Sequence, residues 1–337
     1  MSLPLRHHLG AIARRIQTRS LASISSNSSP TNPYSVGPYQ IFDRDVKRMQ
    51  KDRAAALDDG ERSRTVDYVR DEVADRLMER FMDIKRNFGS VLDLGSGPGH
   101  FSKLLLKSKA QKTLMLDSSK NTLYRDPDDE FEVQVERIHA DEESLLETIP
   151  KNSQEAVVSC LSLHWINDLP GILVQINQAL KPDGLFLGAI IGGDTLFELR
   201  TALQLAEVER EGGISPRISP MTDSRDVSNL LGRAGFTLLT VDVDEVQVAY
   251  PSMWELVQDL QDMGENNAVI GRQGRPRIQP DTLVAASAIY KEMHGKEDGT
   301  IPATFQIIYM IGWKKDESQP KPLERGSGKV NLKEVLS

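Results

Sequence analysis

At 337 residues the chain has room for one large core, or for a core with a smaller lid, since single domains commonly reach ~200–250 residues. Its formal charge of −8 gives little electrostatic encouragement to a nucleic-acid partner, and its single cysteine, Cys160, excludes intrachain disulfides, cysteine-rich zinc sites and a protein-held iron–sulfur cluster. The longest apolar run, GLFLGAIIGG, is about half of the ~20 residues a spanning helix needs, so any membrane association has to be peripheral.

The chain opens with Arg6, Arg14, Arg15 and Arg19, many serines, and no acid before Asp43. That composition predicts a mitochondrial transit peptide over 1–33 and import into the matrix, with a disordered basic tail as the plainer alternative. FDRDVKRMQKDRAA then reads as a charged helix. Val66, Val69, Val73, Leu77, Phe81 and Ile84, spaced by threes and fours, mark a second, amphipathic helix packed on the main domain. Together they form an N-terminal helical region over 40–87.

From Ser90 short apolar runs end in polar residues and alternate with helical stretches: Val91–Leu94, Lys112–Leu116, Val133–Ile138, Ala156–Leu163 and Leu185–Ile191. Such alternation predicts an α/β fold, a parallel sheet with helices on both faces and ligands at the carboxyl ends of the strands. LKPDG, 180–184, is a predicted turn before the fifth strand. DTLFELRTALQLAEVERE and SRDVSNLLGRAGF read as helices, the second stopped at Gly235. TLLTVDVDEVQVAY and ATFQIIYMIGW alternate in period two, as a closing antiparallel pair does. Two helical patterns between them, over about 252–297 and around GENNAVIGRQGRPR, are predicted to form an inserted cap or substrate loop. The polar, breaker-rich stretch 314–337 is an expected disordered tail.

Strand one runs into SVLDLGSGPGHF. A dinucleotide turn reads Gly-x-Gly-x-x-Gly, but the third position of that register is His100. What stands is Asp93 followed by Gly95, Gly97 and Gly99, a turn that lets backbone approach a ligand closely. S-adenosylmethionine suits it: the molecule carries no phosphate to lay on a helix N-terminus, and its ammonium group suits Asp93. LMLDSS puts Asp117 at the end of strand two, where an acid accepts from both ribose hydroxyls. HADEE puts Asp141 and Glu142 at the end of strand three, with Asp141 placed to accept from the adenine amino group; Leu161, near the end of strand four, completes the candidate cofactor set. Each acid alone has a plainer reading as a helix cap or turn residue. Three acids at three successive strand ends, after a glycine turn, point to a nucleoside pocket.

This set resembles the class I S-adenosylmethionine-dependent methyltransferase family over about Phe88 to Trp313. The resemblance implies a Rossmann-like seven-stranded sheet with its last strand antiparallel. Residues facing the reacting group should follow strand four in VVSCLSLHWIND, with His164 as a base and Trp165 as a wall or stacking surface; a capping histidine and a core aromatic are the plainer readings. His139-x-Asp141 with a distant histidine has the spacing of a non-haem iron triad, yet Asp141 is already assigned to adenine, and no metal site is expected. Asp194 and Glu198 in GGDTLFELR are candidates to meet a guanidinium, against the plainer reading of solvated helix charge for Glu198.

A closer resemblance is carried by FDRDVKRMQK, HWINDLPGIL, GGDTLFELRTALQLAEVEREGGISPRISP, LLGRAGF, YPSMWELVQDLQDMGE and PATFQIIYMIGW. These stretches are similar to the mitochondrial complex I assembly factor 5 family of methyltransferase-like proteins. That resemblance implies a matrix protein held peripherally at the inner membrane, S-adenosylmethionine as ligand, and hydroxylation of an arginine in an iron–sulfur subunit of complex I. Nothing in the residues themselves accounts for oxygen activation. Two other functions use the same fold and strand ends. One is a conventional methyltransferase acting on a small acid, a carrier-protein thioester or a quinone precursor. The other is a non-catalytic assembly chaperone whose ligand orders its cap.

Overall fold

The apolar runs pair into one sheet in the computed structural model, which describes residues 40–272 and 277–321. All of these belong to a single unit, Tyr39–Ser337; the expected transit peptide and most of the expected tail lie outside the described residues. The strands are β1 (Phe88–Leu94), β2 (Ala110–Asp117), β3 (Gln134–His139), β4 (Gln154–Cys160), β5 (Leu180–Ile191), β6 (Phe236–Tyr250) and β7 (Ile301–Lys314). Their order is β3-β2-β1-β4-β5-β7-β6. The first five are parallel, and β7 runs antiparallel to both β5 and β6. This is the seven-stranded α/β sheet that the family resemblance implies, with only the last strand reversed.

Alternation along the strands divides the core in two. Val91 and Val158 face a cluster with Val73, Leu77, Phe81, Phe101 and Tyr290, while Leu92, Leu94 and Val157 face Ile172, Ile176, Leu231 and Phe236. The first face is covered from outside the alternating β/α region. Helices α1 (Arg44–Ala56), α2 (Glu61–Thr65) and α3 (Tyr68–Met82) precede the sheet, and α3 lays Val69, Val73, Leu77 and Phe81 on it. The crossovers differ from the predicted helical stretches. The segments after β1, β2 and β3 form single turns, α4 (His100–Lys103), α5 (Lys120–Leu123) and α6 (Leu145–Thr148), instead of full crossover helices.

The second half restores longer helices: α7 (Leu169–Ala179), α8 (Phe197–Glu211), α9 (Ser224–Arg233), α10 (Met253–Asp262) and α11 (Pro280–His294). Their limits follow local chemistry. Asp168 accepts from Gly171 N at 2.9 Å to cap α7, and Gly235, at φ 90°, takes the left-handed conformation that ends the α9 segment. Of the region between β6 and β7, residues 273–276 lie outside the described residues. The predicted LKPDG turn lies inside β5: Leu180 pairs with Gln154 and Leu185 with Ala156, so the residues between loop out as a bulge around Asp183, at φ 56°. A one-residue bulge in β6 between Thr237 and Thr240 places Leu238 at φ 51°. Strand β7 continues through Lys314, whose Nζ donates to Leu180 O at 2.7 Å. Among the described residues no helix is long and apolar enough to cross a membrane.

Phe81 is fully buried, stacked on Phe88 at 5.2 Å and edge-on to Phe101 at 5.5 Å. Phe81→Ala removes the ring that joins α3 to the sheet, and urea unfolding is expected to show a loss of about 3–5 kcal/mol.

Candidate functional site

The carboxyl end of β1 turns through Gly95, Gly97 and Gly99, all at positive φ: 67°, 56° and 95°. A Cβ on Gly95 would stand 1.9 Å from Ser162 Oγ, and one on Gly99 2.7 Å from the Met115 methyl, so the turn is wedged between the β4 loop and β2. Gly97 alone has room, and its N donates to Asp117 Oδ2 at 2.9 Å. That bond ties the glycine turn to the end of β2.

Asp117 is fully buried and accepts four hydrogen bonds: from Gly97 N, from Ser119 N at 2.7 Å, and from Lys51 Nζ at 2.9 and 2.8 Å on its two oxygens. At the end of β3, Glu142 is buried and accepts from Ser118 N at 3.2 Å and Ser118 Oγ at 3.1 Å; Asp141, half exposed, accepts from Glu143 N at 3.1 Å. Arg44 Nη2 reaches both acids, at 3.0 Å from Asp141 and in a shorter contact with Glu142. The structure thus brings the predicted acids of β2 and β3 to one end of the sheet and covers them with α1. Asp93 lies deeper. Its Oδ2 accepts from Ser102 Oγ at 2.7 Å, its Oδ1 is buried with no partner, and burial lifts its carboxyl to about 7.

Two adjoining cavities open beside this array. The smaller, about 40 Å³, is bordered by Gly95, Ser96 and Gly97 together with Arg44, Lys47 and Lys51. The larger, about 350 Å³, is mainly apolar, with Leu199, Leu203, Met253, Leu260 and Phe305 in its walls. Arg70, Leu161, Trp165, Met263 and Glu265 line both. Leu161 holds φ 52° there, a strained conformation for a bulky residue, and strain of this kind collects at functional sites.

His164 and Trp165, predicted to follow β4, form a short 3-10 turn with Leu163. Both border the larger cavity. The ring nitrogens of His164 are shielded and unpartnered, although the residue as a whole is partly exposed, and burial pushes the imidazole down to about 4. His164 is therefore neutral at physiological pH. Trp165 Nε1 donates to Glu265 Oε2 at 2.8 Å, and the Lys47 ammonium lies 3.3 Å from the Trp165 ring centroid. Glu265 was not among the sequence-predicted residues. Burial alone would raise its carboxyl, yet Lys47 and Arg70 hold it well below the usual range; Arg70 Nη2 donates to Glu265 Oε1 at 2.6 Å.

The remaining candidates are engaged elsewhere. Glu198 is buried and accepts from Thr304 Oγ1 at 2.6 Å, so the solvated reading does not hold; Asp194 accepts from Gln306 Nε2 at 3.1 Å. His139 Nε2 bonds Ser118 O at 3.0 Å, and among the described residues no group of three or more His, Cys, Asp or Glu is arranged to hold a metal ion.

Gly95→Ala forces a side chain onto Ser162 at positive φ and is expected to lower stability by about 1–3 kcal/mol, read by thermal unfolding. An unfolded His164 takes up a proton near pH 6.5 and the folded one only near 4, so stability falls as pH drops through that window, by up to about 3 kcal/mol. His164→Gln should remove this component, and denaturant titrations at pH 7 and pH 4.5 are expected to show a smaller acid loss in the variant than in the wild type.

Comparison with known proteins gives this arrangement its relatives. A family model described as a methyltransferase domain matches residues 66–241. The Homo sapiens protein named arginine-hydroxylase NDUFAF5, mitochondrial, is 48% identical over 96% of this chain and 92% of its own length. A malonyl-[acyl-carrier protein] O-methyltransferase of Halorhodospira halophila is 32% identical over 82% of this chain and 90% of its own. In fold, a Bacillus halodurans crystal structure assigned to the methyltransferases covers 72% of this chain and 99% of that one at a TM-score of 0.50 and 16% identity. The chain belongs to the methyltransferase-domain family and, within it, to the mitochondrial proteins named arginine-hydroxylase NDUFAF5.

Proposed function

We propose that the chain is an S-adenosylmethionine-binding enzyme of the mitochondrial matrix, peripheral to the inner membrane, that hydroxylates an arginine of an iron–sulfur subunit during complex I assembly. The observation that carries this reading is the pair of adjoining cavities, one on the glycine turn and one apolar, sharing a wall of Leu161, Trp165 and Glu265. The relatives named arginine-hydroxylase, at 45–50% identity, support the choice of reaction.

The residues present fit the cofactor. Asp93 keeps one buried carboxylate oxygen without a partner, which suits an ammonium group; Asp117 suits the ribose hydroxyls, and Asp141 and Glu142 suit the adenine edge. Gly95, Gly97 and Leu161 border the smaller cavity, and Gly99 holds the turn against β2. When bound, S-adenosylmethionine supplies a sulfonium group with an activated methyl. Neutral His164 and the indole of Trp165 border the apolar cavity, where a substrate side chain is separated from water. The oxidant for an inserted oxygen comes from outside these side chains.

A second reading, methyl transfer to a carrier-protein thioester, draws on the apolar cavity and on the malonyl-[acyl-carrier protein] methyltransferase relatives. One experiment separates the two: peptide mass spectrometry of complex I iron–sulfur subunits from cells with and without the protein. Loss of one oxygen mass on an arginine is expected, unrestored by Asp117→Asn. Loss of a methyl-sized increment would replace hydroxylation by methylation of the same subunit, and an unchanged set of peptides would overturn the hydroxylase reading and leave the carrier-protein one.

A further inference from the structure

Helix α1 turns Arg44, Lys47 and Lys51 to the carboxyl end of the sheet, at spacings of three and four that share one helix face. Each engages something that the nucleoside reading assigns to a ligand or to its wall. Lys51 holds both oxygens of Asp117, and with Gly97 N and Ser119 N it brings the donors on that carboxylate to four. A carboxylate offers about four lone-pair sites, so no acceptor is left there for ribose hydroxyls while Lys51 stays. Arg44 spans Asp141 and Glu142 in the same way. Burial would lower the Lys51 ammonium, but Asp117 and Glu142 outweigh it and raise it, as expected of a cation held in place by acids.

Volumes agree with this occupancy. The cavity on the glycine turn is about 40 Å³, and a second small one of about 140 Å³ lies at the end of β3 beside Ser118, His139 and Asp141; Arg44 lines both. Ligand pockets for molecules of nucleoside size run from about 300 Å³ upward. The adjoining apolar cavity reaches that size, whereas the nucleoside end does not.

The same helix is fastened to the wall of the apolar cavity. Lys47 Nζ donates to Gly264 O at 3.0 Å and Asn266 O at 3.1 Å. Just before α1, Asp43 N donates to Ala268 O at 2.8 Å, Ile270 N donates to Ile41 O at 2.9 Å, and Phe42 bridges Val269. Glu265, Asn266 and Asn267, within that segment, line the larger cavity.

We propose that α1 is an ionic latch whose Arg44 and Lys51 occupy the acids that receive the adenosine moiety, so that ligand entry displaces α1 and, through Lys47 and the 41–43 pairing, reshapes the 264–270 wall of the apolar cavity. The proposal rests on the nucleoside reading of Asp117, Asp141 and Glu142. It makes cofactor occupancy a condition for the form of the substrate cavity that accepts a side chain, a coupling of two sites through one displaced element.

The test is a calorimetric titration of S-adenosylhomocysteine into the full-length wild type, Lys51→Met and Arg44→Gln, with hydrogen exchange of segments 44–56 and 264–270 followed with and without that probe. Releasing a latch that leaves roughly a tenth of the molecules open tightens apparent affinity by up to about tenfold. Tighter binding in either variant, with faster exchange of both segments in the saturated wild type, is the expected result. The exchange comparison needs no substitution, so it stands if Lys51→Met fails to fold. Binding with unchanged or slower exchange, or weaker binding in both variants, overturns the latch and leaves the nucleoside reading intact. Absence of binding in all three proteins overturns both.

Discussion

A single buried carboxylate, that of Asp117, joins the parts of this protein that bear on function. It stands at the end of β2, receives the amide of the glycine turn after β1, caps the backbone at Ser119, and holds Lys51 of α1. A charge taken out of water in this way is tolerated only because each oxygen is filled by donors and one donor is a cation. Removing the carboxylate would release the glycine turn, the start of α5 and the N-terminal helix together. The arrangement explains why a strongly charged helix packs on the sheet at all: α1 is held by ion pairs, hydrogen bonds and a cation–ring contact, with Val46, Ala54 and Ala55 as its small apolar contribution.

Around that carboxylate the protein separates two tasks. Polar groups gather at the ends of β1, β2 and β3, while the apolar cavity lies toward β5, α8 and α10. The seam between them is made by Leu161, Trp165 and Glu265, and it is where strain, a buried ion cluster and an unpartnered histidine all occur. An apolar cavity next to a polar array at the strand ends suits chemistry on a side chain that must be shielded from solvent. Hydroxylation and methyl transfer both need that shielding, which accounts for one fold serving both kinds of relative.

Much of this was legible in the sequence because it is locally encoded. The parallel strands follow from short apolar runs, α3 from the spacing of Val69, Val73, Leu77 and Phe81, and the gathering of three glycines and three acids at one end of the sheet from their places at successive strand ends. What was hidden is long in sequence separation. Lys51 meets Asp117, Arg44 meets Glu142, and Lys47 and Arg70 meet Glu265, with no local pattern to announce any of these pairs. The α1 segment reads only as a charged helix, and Glu198 has the plain reading of a solvated helix charge, because periodicity reports which residues share a face and not what covers it. The single turn of α4 was illegible for a related reason: α3, preceding the sheet, already covers the face on which Phe101 and Leu105 lie.

The role of Asp117 turns on where the adenosine moiety lies. A crystal structure of the protein grown with S-adenosylhomocysteine should place both ribose hydroxyls on the Asp117 carboxylate, the adenine beside Asp141 and Glu142, and Lys51 withdrawn from its present bonds. A nucleoside bound elsewhere, with Lys51 still holding both oxygens of Asp117, would contradict it.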